Sequence, residues 1–371
     1  MIQQSVKRPL HGGNLVWAAA LANCSPSAIL DFSASINPLG PPASAIAAIQ
    51  SHLGDLKAYP DPQYHDLRSA LSEFHQIPSE YILPGNGAAE LLTWACRDLA
   101  ALDVTCLLTP AFSDYRRALK TFDATVLEYS LEPLASGQWE LSQSLAHIHE
   151  GSSQVKVAGL LLNNPHNPTG RLFDQAVASA FMDEERLVVV DEAFMDFLPP
   201  DQQQSVIDRV LEHPNLVVLR SLTKFYSLPG LRLGYAIAHP DRLKRWQAWR
   251  DPWSVNALAA AAGAVMVKDT AFQEQTWQWL AAAKTQLFQG LSNLPDLMPF
   301  LGAANFLLVH SARSVVQLQT ELLKQHRILI RDCLSFPELG DRYFRVAIRT
   351  EAENQRLLDG LRQILSNGKQ R

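Results

Sequence analysis

The chain has 371 residues, 47% of them hydrophobic and 19% charged, and a formal net charge of -5. That length buries one large core and a smaller second one, with the composition of an ordinary globular protein. The negative charge and the lack of any Lys/Arg block argue against nucleic acid as a partner, and the longest Ala-rich stretch, Ala257 to Val267, is too short to span a membrane.

The opening residues, through Pro42, contain many Gly, Asn and Pro and read as an arm with little structure of its own, 1–42. Met1 to Pro9 lack the apolar stretch of a signal peptide, and the expectation is a cytoplasmic protein. Cys24, Cys96, Cys106 and Cys333 are scattered without a CxxC pair and read as reduced packing residues. The eleven histidines show neither metal-ligand spacing nor H-E-x-x-H, so no metal is expected.

From residue 43 to 252 short apolar runs alternate with amphipathic stretches. Candidate strands are Val104–Leu108, Thr125–Tyr129, Val157–Leu162, Leu187–Val190, Leu216–Leu219 and Leu233–Ala238, and candidate helices include Tyr115–Phe122 and Asp174–Asp183. The alternation predicts an α/β domain with a mostly parallel central sheet flanked by helices. Ligands of such sheets gather at the carboxyl ends of the strands. Asp251-Pro252 then breaks the chain, and 253–371 reads as a smaller α+β domain: an Ala-rich helix from Ser254, a strand Asn305–His310, a helix Val315–His326, and short runs at Ile328–Arg331 and Tyr343–Arg349.

Polar residues of interest fall at strand ends. Gly85-Asn86-Gly87-Ala88-Ala89-Glu90 opens a helix whose first N–H groups could hold a phosphate, although a plain strand-to-helix turn fits equally well. Phe112 follows a strand, where it could stack on a flat cofactor or simply join the core. Asn167, in Asn167-Pro168-Thr169-Gly170, could donate to a ring oxygen, or the segment is only a turn. Asp191 ends Leu187–Val190 and could pair with a protonated ring nitrogen, or cap the next segment. Lys224 lies between two apolar runs, with hydroxyls at Ser221 and Thr223 and a guanidinium at Arg232. That setting suits an amine that forms a Schiff base beside an anion pocket, rather than a solvated surface charge. Arg331 and Arg345 suit bidentate capture of carboxylate or phosphate, or surface ion pairs.

In order the chain offers Tyr59, the Gly85–Ala89 turn, Phe112, N-P-T-G, Asp191, and Ser-x-x-Lys with Arg232. That series resembles the fold-type I pyridoxal-phosphate enzymes of the aminotransferase class I/II family, over essentially the whole chain. The resemblance implies pyridoxal 5'-phosphate bound covalently to Lys224. It implies Asp191 at the pyridine nitrogen, Asn167 at the ring oxygen and Phe112 on the ring. Gly87, Ala88, Ser221 and Arg232 would hold the phosphate, with Tyr59 reaching the site of a neighbouring subunit in a homodimer. Many relatives carry Tyr where Phe194 stands, so one hydrogen bond to the ring oxygen is missing.

His11-Gly12-Gly13-Asn14 and Asp31–Gly40, together with Ile330–Cys333 and Phe344–Thr350, are similar to the L-threonine-O-3-phosphate decarboxylase group of cobalamin biosynthesis. That group is related to the histidinol-phosphate aminotransferases, which are the alternative. By this resemblance His11, Gly12, Asn37, Asn167, Arg331 and Arg345 would contact the substrate's phosphate and carboxylate.

Overall fold

The computed structural model describes residues 8–133, 139–141, 157–182 and 186–367. Met1 to Lys7, Asp183 at the end of one expected helix, and the last four residues of the expected small domain lie outside the described residues.

The first strand, β1 (Leu30–Asp31), belongs to the arm. The central sheet contains β2 (Ile82–Asn86), β3 (Thr105–Thr109), β4 (Val126–Pro133), β5 (Trp139–Leu141), β6 (Gly159–Asn163), β7 (Leu187–Asp191), β8 (Leu216–Ser221) and β9 (Leu233–Ala238). Their order is β2-β9-β8-β7-β6-β3-β4-β5. The pairs β3/β4, β3/β6, β6/β7 and β7/β8 are parallel, while β9 and β5 run against their neighbours. The fold is therefore the expected α/β one. Every residue of β3, β6, β7 and β8 is buried, because helices cover both faces; this is why those strands read as unbroken apolar runs.

One strand escapes the pattern. β2 contains Pro84 and Gly85, which break a strand signature, but it lies at the sheet edge and pairs only with β9. At an edge the missing N–H of Pro84 costs no ladder bond.

A second, antiparallel sheet has the order β10 (Leu297–Phe300), β11 (Phe306–Ser311), β14 (Tyr343–Ala347), β13 (Arg331–Asp332). The helices Thr270–Ser292, Val315–His326 and Glu351–Asn367 accompany it. The helix Ala257–Met266 packs instead on the helices Ala43–Ser51 and His65–His75, so contacts of the large unit continue past the Asp251-Pro252 break.

The arm has more structure than its composition suggests. Leu15–Ala22 is a helix: Asn14 Oδ1 accepts from the Trp17 N–H at 2.9 Å, and Asn23 ends it at φ 50°. Trp17, Ala18 and Ala19 pack with Ile29, Leu323 and Leu329, and β1 pairs in parallel with β12 (Ile328–Leu329). The arm is thus held by the smaller sheet unit, which carries it over the carboxyl end of the large sheet.

Candidate active site

Register brings the chemistry together. Asn86, Asn163, Asp191 and Ser221 end β2, β6, β7 and β8, and Arg232 precedes β9; Asn163 pairs with Asp191, Ser221 with Gly234, and Asn86 with Leu233. All of these positions therefore lie along one edge of the sheet. Above that edge is a cavity of about 180 Å³ lined by residues including Phe112, Tyr115, Asn167, Asp191, Lys224 and Arg345, with Gly12 and Ser33 from the arm.

One corner is built for an anion. The helix Ala88–Ala100 starts on Gly87, which has φ 74° and gives no side-chain cap, so the first N–H groups of the helix are left for a ligand. A Cβ on Gly87 would stand 2.5 Å from Arg232 Nη2, and one on Gly234 2.5 Å from the Ala88 nitrogen. Both glycines let the arginine and β9 approach the start of the helix. Arg232, itself at φ 59°, is exposed. The Ser221 and Thr223 hydroxyls are 2.8 Å apart. Two hydroxyls, a guanidinium and a helix start are a donor set that suits a phosphate monoester.

Lys224 lines the cavity with its Nζ 4.7 Å from the centre of the Phe194 ring. Desolvation lowers the pKa of its amine; Asp191 opposes this, whereas Arg345 and Arg232 add to it. The amine is therefore more readily a neutral nucleophile than an ordinary lysine. Asp191 is buried, with Oδ2 accepting from the Tyr115 hydroxyl at 2.7 Å and Oδ1 from the Ala193 N–H at 3.0 Å. Asn163 ties the neighbouring loop in place: its Nδ2 donates to the Asp191 carbonyl at 2.8 Å, and its Oδ1 accepts from the Asn167 N–H at 2.7 Å.

The arginines meet across the smaller sheet. Arg331 and Arg345 are direct partners in the β13/β14 ladder, so their side chains leave the same face. Arg345 donates to Asn167 Oδ1, and burial with Arg331 nearby pulls its pKa down to about 10. Arg331 is buried and donates to the Leu10 carbonyl and to Ser335 Oγ at 2.6 Å, which holds the arm down. Gly12 lies so close to the Ser33 carbonyl that a Cβ would be 2.2 Å away, and the Gly13 N–H donates to Ser33 Oγ at 2.8 Å. The His11 ring centre is 5.7 Å from that of Phe112, which lines the cavity.

Outside the anion corner, four expected residues do not line the cavity: His11, Asn37, Tyr59 and Arg331. The Asn37 side chain is spent elsewhere: Nδ2 donates to the Phe225 carbonyl and Thr276 Oγ1, both at 2.9 Å, and Oδ1 accepts from the Leu39 N–H. Its own N–H donates to the Lys224 carbonyl, so it buttresses the lysine's backbone. Tyr59 is 79% exposed and stacks on Trp253, away from the cavity of its own chain. Tyr115 and Asn163 were not singled out from sequence. Tyr115, three residues after Phe112 on the same helix face, carried a spacing signal.

Comparison with known proteins agrees with this geometry. The family model for aminotransferase class I and II matches residues 27–361. A threonine-phosphate decarboxylase of Salmonella typhimurium is 41% identical over 361 residues, 96% of each chain. The solved histidinol-phosphate aminotransferase of Clostridium acetobutylicum superposes with a TM-score of 0.83 at 26% identity, covering 91% of this chain and 100% of that one. The one from Sinorhizobium meliloti, solved with pyridoxal-5'-phosphate, superposes at 0.82 and 21% identity over 98% of each.

Proposed function

This chain belongs to the aminotransferase class I and II family, and from that premise we propose that it removes CO2 from L-threonine O-3-phosphate, leaving (R)-1-amino-2-propanol O-2-phosphate for cobalamin biosynthesis. Its cofactor is pyridoxal 5'-phosphate. The donor set fits that group: a desolvated amine at Lys224, a carboxylate at Asp191 and the anion corner at Gly87, Ala88, Ser221 and Arg232. When bound, pyridoxal phosphate supplies a sink for the electron pair left at Cα as CO2 departs.

The protein's part is binding, orientation and proton handling. Lys224 Nζ would hold the aldehyde carbon of the cofactor, and as a free amine it would be the group placed to hand a proton to Cα. Asp191 would hold a proton on the pyridine nitrogen, Asn167 would donate to the ring oxygen, and Phe112 would cover one ring face. Arg331 and Arg345, with His11 and Gly12 of the arm, would grip phosphate and carboxylate and so orient the Cα–carboxylate bond for cleavage. The arm also keeps water from the reacting carbon.

The observation that carries the substrate choice is the direct pairing of Arg331 with Arg345. Like charges opposite each other in a ladder repel, and a phosphorylated amino acid supplies the anionic groups that relieve them. The strong match to a threonine-phosphate decarboxylase along nearly the whole chain supports the same reading. We propose further that the enzyme is a cytoplasmic homodimer in which the exposed Tyr59 reaches the phosphate of a second copy. None of the helices among the described residues is long and apolar enough to cross a membrane.

Histidinol-phosphate aminotransferase is the second reading, favoured by the 0.83 superposition. Steady-state rates separate them. The purified enzyme with threonine phosphate should release CO2 with no oxo acid present. Turnover of histidinol phosphate with 2-oxoglutarate, and none of threonine phosphate, would reverse the assignment.

A further inference from the structure

The Asp191 carboxylate has one side-chain hydrogen-bond partner among the described residues, and it is Tyr115. The phenol is buried, and its hydroxyl donates to Asp191 Oδ2 at 2.7 Å. Burial, followed by the charge of Asp191, raises its pKa well above the ordinary value, so it stays a donor at any working pH. The same ring meets Phe112 edge-on, with centres 5.6 Å apart. Phe112 caps the helix Ser113–Thr121, and the spacing of three residues places both rings on the face turned to the sheet. One side chain therefore touches both the ring-stacking phenylalanine and the carboxylate at the end of β7. The Ala193 N–H fixes the other carboxylate oxygen.

We propose that Tyr115 is the positioning residue that holds Asp191 aimed into the cavity, and thereby sets how firmly the ring nitrogen of the bound cofactor keeps its proton. The inference rests on the reading of Asp191 as the partner of that nitrogen. A carboxylate held in line with the ring nitrogen stabilises the protonated ring, and losing the hydrogen bond that holds it in line shifts that equilibrium on the order of ten- to a hundredfold. Tyr115 touches no reacting atom; it acts through Asp191.

Tyr115→Phe removes the hydroxyl and keeps the ring that packs on Phe112. Wild type and variant, each loaded with pyridoxal phosphate labelled with ¹⁵N in the ring, are titrated while the ¹⁵N chemical shift is followed. The wild-type nitrogen should remain protonated through neutral pH, and the variant should lose its proton about one to two pH units lower. In an Asp191→Asn background the same change should add nothing, since the effect passes through that carboxylate. Melting of the apoproteins serves as the control for folding. Identical ¹⁵N titrations for wild type and Tyr115→Phe would overturn the inference and leave Tyr115 a packing residue, whatever the change in melting temperature. A wild type that takes up the cofactor with an unprotonated nitrogen would instead remove the role given to Asp191.

Discussion

Gly87→Ala should weaken cofactor binding at least as much as it weakens the fold. Gly87 has φ 74° and ψ 160°, a region that costs an L residue about 1–3 kcal/mol. The added Cβ would stand 2.5 Å from Arg232 Nη2. Arg232 is exposed and donates from Nη1 to the Pro229 carbonyl at 3.2 Å, so its guanidinium can swing away and relieve the clash. The fold then bears the backbone strain alone. A phosphate in the corner loses a charge-assisted hydrogen bond, worth about 1.5–3 kcal/mol. That corresponds to a dissociation constant roughly ten- to a hundredfold higher. Titrating the apoprotein with pyridoxal phosphate, followed by visible absorbance, measures it, and a thermal melt of the apoprotein reports the strain. A dissociation constant within twofold of wild type would refute the phosphate assignment and leave Gly87 a turn residue.

Lys224→Ala should abolish the cofactor adduct that borohydride can trap; an adduct that persists would place the link on another lysine. Because burial lowers the Lys224 pKa, cofactor uptake by the apoprotein should rise with pH and level off below the ordinary lysine value of 10.5, since the neutral amine is the nucleophile. A rise that continues to 10.5 would contradict this. Asp191→Asn should slow turnover strongly at nearly unchanged stability, and near-normal kcat would make it a structural cap. Arg220 lies buried between Glu192, at 2.9 Å, and Asp196, so Arg220→Met should destabilise the protein by about 3–5 kcal/mol, read by urea unfolding. Burial already raises both carboxyl pKa values, so the unpaired acids would favour protonation and the variant should regain stability as pH falls. A loss below about 1 kcal/mol would mean that the pair is dispensable.

Much of the fold was legible because the inner strands are buried on both faces and leave unbroken runs such as Leu187–Val190. β2 was not, since Pro84 and Gly85 belong to an edge whose position only the sheet order reveals. The arm helix was hidden because Leu15–Ala22 is apolar nearly all round and lacks the polar face of a surface helix. Among site residues, Asp191, Asn167, Ser221 and Lys224 stand at strand ends, where chain order already points to ligands. Tyr115 reaches Asp191 across 76 positions, a contact made by the pairing of strands rather than by local pattern. The ladder that sets Arg331 opposite Arg345 was equally invisible. The structural part Asn37 plays was also hidden: its amide donates to the Phe225 carbonyl, a contact across 188 positions.

The fate of one carbon tests the central claim most directly. L-Threonine O-3-phosphate labelled with ¹³C in the carboxylate is incubated in D2O with the cofactor-loaded enzyme and followed by NMR. The label should appear in bicarbonate, and the aminopropanol phosphate should carry one deuteron on the former Cα. A label that stays in the amino acid, or moves into an oxo acid with loss of the amine, would contradict the decarboxylase assignment.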